Sequence, residues 1–243
     1  MFEPLGYLDM FLFGYYPYIC GAVFLLGSLI RFDRDQFTWK AHSSQILFNE
    51  DMRFNTPFGS VRYNMRWASN LFHVGILLLF FGHLFGLLTP PSIYHYFGLT
   101  PPAKQLLSMI AGGIFGAMAF VGLTLLIHRR ITIPSIRANS TRMDIFILFL
   151  LYIQLIFGLI TIVVSLYHLD GVNMLLLGEW AKRMLTFQSG AVEALVGINW
   201  WYKMHLFLGL TTFLIFPFTR LVHVWSVPVW YLGRRGYQIV RQR

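Results

Sequence analysis

Four stretches of this chain run for roughly twenty residues without a formal charge, the length a helix needs to cross a ~30 Å hydrocarbon core, and a fifth is shorter between its charges. They extend from about Met10 to Ile30, Trp67 to Thr89, Gln105 to Ile127, Ile145 to Tyr167 and Met204 to Thr219. The second is stopped by Pro90-Pro91, since proline cannot continue a helix. The fifth is expected to reach Trp225, kinked by Pro217 and ended by Pro228, with Lys203 and Arg220 snorkelling at its two ends. Glu3 and Asp9 precede the first stretch and no basic segment does, so it does not read as a cleaved signal peptide. The pattern predicts an all-α fold: a single membrane domain, residues 1–243, built as a bundle of five transmembrane helices.

Composition agrees. Of 243 residues, 56% are hydrophobic and only 12% charged, with a mean hydropathy of +0.60. That is about half the charge a soluble domain carries, which excludes an ordinary soluble globule and a disordered chain. A single cysteine, Cys20, excludes an internal disulfide framework and a cysteine-held iron–sulfur cluster. The net charge of +9 could suit a nucleic acid, but in so apolar a chain it points to basic loops facing an anionic lipid leaflet.

Four of the 19 Lys and Arg residues (Lys104, Lys182, Arg183 and Lys203) fall on one side of the predicted spans, and all the others on the opposite side. Lys and Arg concentrate in cytoplasmic loops, so the N-terminus is expected outside and the C-terminus in the cytoplasm. Trp67 and Trp225 then sit at the inner boundary, and Trp200 and Trp201 at the outer one.

Of eight histidines, His73 and His83 lie within the second span and His205 and His223 within the fifth. Because these spans run in opposite directions, His73 is level with His223 near the inner face and His83 with His205 near the outer face. An imidazole at membrane depth needs a partner. Two levels with two imidazoles each suit bis-histidine haem ligation, which fills both axial positions and leaves electron transfer as the chemistry. Zinc, the competing use, wants tetrahedral ligands around one ion, not two depths.

Rises along the two helices do not match. Ten residues separate His73 from His83 by ~15 Å, whereas eighteen separate His205 from His223 by ~27 Å on a continuous helix. Those eighteen are five turns, which would put His205 and His223 on one face. Tilting or a bend at Pro217 is needed to reconcile the pairs. Gly75, Gly82, Gly86 and Gly209 would let a flat macrocycle approach the backbone, or let helices pack closely, as Gly112 and Gly116 are expected to do.

The segments SNLFHVGILLLFFGHLFGLLTP (Ser69–Pro90) and KMHLFLG…FPFTRLVHVWSVPVWYL (Lys203–Leu232) resemble the gamma subunit of respiratory nitrate reductase, the dihaem cytochrome b membrane subunit. PYICGAVFLLGSLIRFDRDQFTWKAHSSQ and RRITIPSIRANSTRMDI extend the likeness to nearly the whole chain. The resemblance implies two b haems, the inner held by His73 and His223 and the outer by His83 and His205. It further implies quinol as substrate near the outer haem, and partners that receive the electrons: an iron–sulfur beta subunit, then a molybdenum-containing alpha subunit reducing nitrate. The location implied is the cytoplasmic membrane of a bacterial or archaeal-type cell. Departures from the family's usual form fall in the basic loop, with an insert around residues 49–66, and in the outer loop from about Leu185 to Trp200.

Two further residues carry expectations. Lys104 would enter the membrane near the outer haem and, as the resemblance also implies, hold a quinol oxygen; otherwise it only anchors the third span at the interface. Arg220, three residues before His223, would pair with a propionate of the inner haem, with Arg129 and Arg130 as weaker candidates; otherwise all three are ordinary positive-inside charge. The competing functions are a cytochrome b subunit of a formate dehydrogenase or hydrogenase complex, and a haem-free membrane anchor.

Overall fold

The computed structural model describes residues 6–39, 44, 47–48 and 50–226. Lys40, His42, Asn49 and the basic tail with Pro228, Arg234, Arg235, Arg241 and Arg243 lie outside the described residues.

Four apolar helices are long enough to cross a membrane: Tyr7–Arg34, Met65–Leu88, Pro101–Thr132 and Arg142–Ser165. The fifth span is broken. Trp200–Ile215 is α-helical, Phe216–Phe218 is a single 3-10 turn, and Arg220–Ser226 continues as a 3-10 helix turned by 81°. The starts of the second to fifth spans are written in the local sequence, because side chains satisfy the free N–H groups of a first turn. Asn64 accepts from Trp67 N (3.1 Å), Thr100 from Ala103 N (3.4 Å) and Asn199 from Trp201 N (3.1 Å). Thr141 and Asp144 form a reciprocal capping box at the head of the fourth span, each bond 3.1 Å.

The third span is longer than its charge-free stretch, with 32 residues against the predicted Gln105–Ile127. Pro101 and Pro102 lie in its first turn, where a missing N–H costs nothing, and its far end carries His128, Arg129 and Arg130 past the apolar region.

Packing runs second–third–fourth–fifth–first. The second and third spans meet almost backbone to backbone. A Cβ on Gly75 would lie 2.6 Å from Ala119 N, and one on Gly122 would lie 2.8 Å from Ala68 O. Gly116 gives the same clearance to Leu159 of the fourth span (2.9 Å), as expected for small residues between membrane helices. Gly75 and Gly209 are thus occupied by protein, the latter against Gln154, while Gly82 and Gly86 face open space.

Two elements are absent from the hydropathy pattern. Met52–Thr56 and Gly59–Tyr63 form an antiparallel hairpin within the 49–66 segment, joined by Pro57-Phe58. It docks through Tyr63, whose hydroxyl lies 2.7 Å from His128 Nδ1; burial pushes that phenol up to about 12, so it keeps its proton. At the opposite end, helix Val172–Leu185 and the turn Val192–Leu195 roof the bundle, with Trp180, Met184, Val192, Leu195 and Ile198 buried together. A π-helical turn at Phe11–Tyr15 in the first span accompanies this roof: Trp180 Nε1 donates to the Phe13 carbonyl (3.0 Å).

Candidate functional site: two facing histidine pairs

The second and fifth spans present two histidines each to one another, yet they are not among the helix pairs that pack extensively. The rings span the interval. His73 and His223 have ring centroids 6.4 Å apart with planes at 72°; His83 and His205 are 5.9 Å apart at 41°. The levels pair as topology predicts.

That spacing has a chemical meaning. Two metal–imidazole bonds of ~2.0 Å, plus the ~1.1 Å from each ring nitrogen to its centroid, place two axial imidazoles ~6 Å apart. Both pairs therefore fit a single iron between them. Among the described residues, no group of three or more His, Cys, Asp or Glu side chains surrounds a common point.

The tautomers are set by the backbone. His73 Nδ1 lies 2.7 Å from Ser69 O and 3.1 Å from Ser69 Oγ, His83 Nδ1 lies 2.7 Å from Leu79 O, and His223 Nδ1 lies within hydrogen-bond distance of Arg220 O. A carbonyl only accepts, so each Nδ1 carries the proton and the Nε2 lone pair remains for a metal. His205 differs: its Nδ1 is buried without a partner among the described residues, and so is Gln154 Oε1. Gln154 Nε2 donates to the His205 carbonyl (3.0 Å), and a Cβ at Gly158 would lie 2.9 Å from His205 Cε1.

The broken fifth span removes the mismatch in rise. His205 and His223 do not share one face of a continuous helix; Pro217 ends the α-helix and the chain turns to bring His223 across to His73.

His73 and His223 open on one cavity whose wall includes Ser69, Arg129, Arg130 and Arg220. Arg220 does not snorkel. Its Nε binds Asp144 Oδ1 at 2.8 Å, and both side chains are less than a fifth exposed. Arg129 is 3% exposed and bonds Ser44 Oγ (2.5 Å), Ser44 O (3.0 Å) and Phe48 O, while Arg130 Nη1 donates to Ser140 Oγ (2.7 Å). Lys104 joins neither histidine pair: its ammonium lies 4.2 Å from the centroid of the Tyr94 ring, at the end of the bundle where His83 and His205 meet. Lys203, expected to snorkel, instead pairs with Asp9 at 3.0 Å.

Sequence reasoning missed Gln154, Gly158 and Arg31. An isolated amide and a lone glycine in the apolar run Ile145–Tyr167 were the available signals for the first two. Arg31 had none beyond a charge at a span end; its Nη1 lies 2.6 Å from Pro217 O and 2.8 Å from Thr219 O, at the break.

The profile described as "Nitrate reductase gamma subunit" matches residues 9–243. The chain is 48% identical to the respiratory nitrate reductase 1 gamma chain of Escherichia coli strain K12 over 239 residues, covering 98% of this chain and 100% of that one. It is equally 48% identical to the respiratory nitrate reductase 2 gamma chain of that strain (98% and 99% covered). It is 31% identical to the nitrate reductase gamma chain of Bacillus subtilis strain 168 (96% and 97% covered). With its membrane helices and facing histidine pairs, the chain belongs to the nitrate reductase gamma subunit family.

Proposed function

We propose that this chain is the dihaem cytochrome b subunit of a membrane-bound quinol:nitrate oxidoreductase. In this reading it oxidises quinol near the outer face and delivers electrons to a cytoplasmic iron–sulfur beta subunit and a molybdenum-containing alpha subunit. The observation that carries the reading is the pair of imidazole couples, each spaced for one iron between them. His73 and His223 hold one b haem and His83 and His205 the other, with the Nδ1 hydrogen bonds of three ligands fixing the coordinating nitrogen. When bound, haems held by two imidazoles each would supply one-electron transfer rather than substrate binding at the iron.

Charge balance supports the inner site. Asp144 neutralises Arg220, which leaves Arg129 and Arg130 without a carboxylate among the described residues, so the cavity wall carries a net excess of positive charge. A haem brings two propionates, and arginine is the side chain best matched to carboxylates. Arg220 holds its one carboxylate contact through Nε, and its terminal nitrogens remain for a propionate.

Positive-inside charge assigns the arginine-rich end to the cytoplasm, which puts the N-terminus outside and the protein in the cytoplasmic membrane. The family match favours a nitrate-reducing complex over a formate dehydrogenase or hydrogenase complex. A haem-free anchor would have no use for two aligned histidine couples.

The test is a reduced-minus-oxidised spectrum of the purified chain with haem quantified as the pyridine adduct. Two b haems per chain are expected, with His73→Ala and His223→Ala losing one and His83→Ala and His205→Ala losing the other. Folded, haem-supplied protein without haem overturns the reading. For the quinol site, Lys104→Ala is expected to lower kcat/KM for quinol roughly ten- to a hundredfold, the loss of one charged hydrogen bond, with both haems retained. Unchanged turnover would return Lys104 to a stacking partner of Tyr94.

A further inference from the structure

The first span contributes no histidine, yet one of its faces holds the break that delivers His223. Phe24, Gly27 and Arg31 recur at the spacing of a single helix face. Phe24 packs against Phe213, Phe216 and Trp225, with ring centroids 5.2, 4.9 and 5.4 Å away. Gly27 leaves room for the proline: a Cβ there would lie 2.9 Å from Pro217 Cγ. Arg31 Nη1 then donates to Pro217 O (2.6 Å) and Thr219 O (2.8 Å), while its Nε donates to Thr38 Oγ1 (3.3 Å).

A helix end in apolar surroundings leaves carbonyls that water cannot reach, so the break needs donors from elsewhere. Proline enforces the interruption but does not choose the direction of the chain beyond it. Arg31 supplies that choice, because one guanidinium nitrogen reaches carbonyls on both sides of the joint. One residue past the joint, Arg220 offers its carbonyl to His223 Nδ1, so the turn of the backbone sets the plane of that imidazole.

We propose that Arg31, with Gly27 as its clearance, is the positioning residue for the inner-haem ligand His223, and that the first span is the template for the bend. This rests on the dihaem reading above.

The experiment compares Arg31→Met, Arg31→Lys and Gly27→Ala with the wild-type full-length chain in membranes. Haem is counted as the pyridine adduct, each haem is titrated for its potential, and the low-spin ferric resonances, which report the angle between axial imidazole planes, are recorded. Arg31→Met removes both bonds to the break and is expected to take haem from two per chain toward one, the His73/His223 haem being lost. Arg31→Lys and Gly27→Ala keep both haems and shift the resonance and potential of that haem alone, the first by replacing the fork with one ammonium and the second by pushing Pro217. Equal loss of both haems, or an inner signal unmoved in all three variants, overturns the assignment while leaving the dihaem reading intact. A wild-type chain without haem overturns both.

Discussion

On the proposed dihaem reading, Gly158→Val is expected to empty the site between His83 and His205 and spare the one between His73 and His223. The ring of His205 is walled on the side of the fourth span by Gly158, where even a single Cβ would stand 2.9 Å from Cε1. Retreat is blocked, since Gln154 Nε2 holds the His205 carbonyl at 3.0 Å and His83 faces the ring with its centroid 5.9 Å away. Valine adds two methyl groups beyond that Cβ, in a densely packed interior where such insertions displace side chains. Gly158→Ala is the graded version, shifting the ring by a few tenths of an ångström and moving the potential of the outer haem. The facing third span supplies the control. Gly112 on the third span faces the fourth at Ile162 Cδ1 (3.4 Å), a flexible end that can move, so Gly112→Ala should retain both haems. A haem count of one per chain in Gly158→Val, with the His73/His223 spectrum unchanged, is the expected result; two haems would show that His205 has another rotamer able to ligate.

The contrast between His205 and Gly158 shows where the sequence was legible. The spans were readable because each rests on a local charge-free run, and the levels of the histidines because successive spans must cross in opposite directions. The break in the fifth span was legible only as a need. Pro217 and the unequal rises demanded a bend, but the partner that binds its carbonyls, Arg31, is 186 residues away. Likewise a glycine in an apolar helix serves packing or a cofactor equally well. Gly75 and Gly116 went to packing and Gly158 to a histidine ring, a division fixed by which helix lies opposite and invisible in the spacing. The hairpin at Met52–Tyr63 was lost for another reason: Met52 and Phe54 alternate with Arg53 and Asn55, and Val61 and Tyr63 with Ser60 and Arg62, but strands this short leave only a brief alternation inside a charged loop, far weaker than the long apolar runs beside it. The roofing helix Val172–Leu185 was too short and too charged to register as a span, although Trp180 and Met184 bury one side of it.

Asp144→Asn should destabilise the chain by about 2 kcal/mol, below the cost of breaking a fully buried ion pair because both side chains keep some exposure, since the carboxylate is the only acidic group binding Arg220 among the described residues. Two roles meet at this residue. It closes the capping box at the head of the fourth span, through Oδ2 to Thr141 N at 3.1 Å, and it holds Arg220 through Oδ1 at 2.8 Å. Asparagine can still accept one of these bonds, so the cap is partly preserved while the charge is gone. Thr141→Ala separates the roles by removing the reciprocal cap bond at a cost of about 1 kcal/mol with the ion pair untouched. If the cavity beside His73 and His223 holds a haem with propionates on its arginine wall, deleting a negative charge there favours the reduced state. Asp144→Asn then raises the midpoint potential of the inner haem and leaves that of the outer haem alone, whereas Thr141→Ala moves neither. Denaturant midpoints measured beside redox titrations decide the matter: a destabilised Asp144→Asn whose inner potential equals that of the wild type would make the Arg220–Asp144 pair a clamp on the 3-10 segment alone, remote in effect from the redox centre.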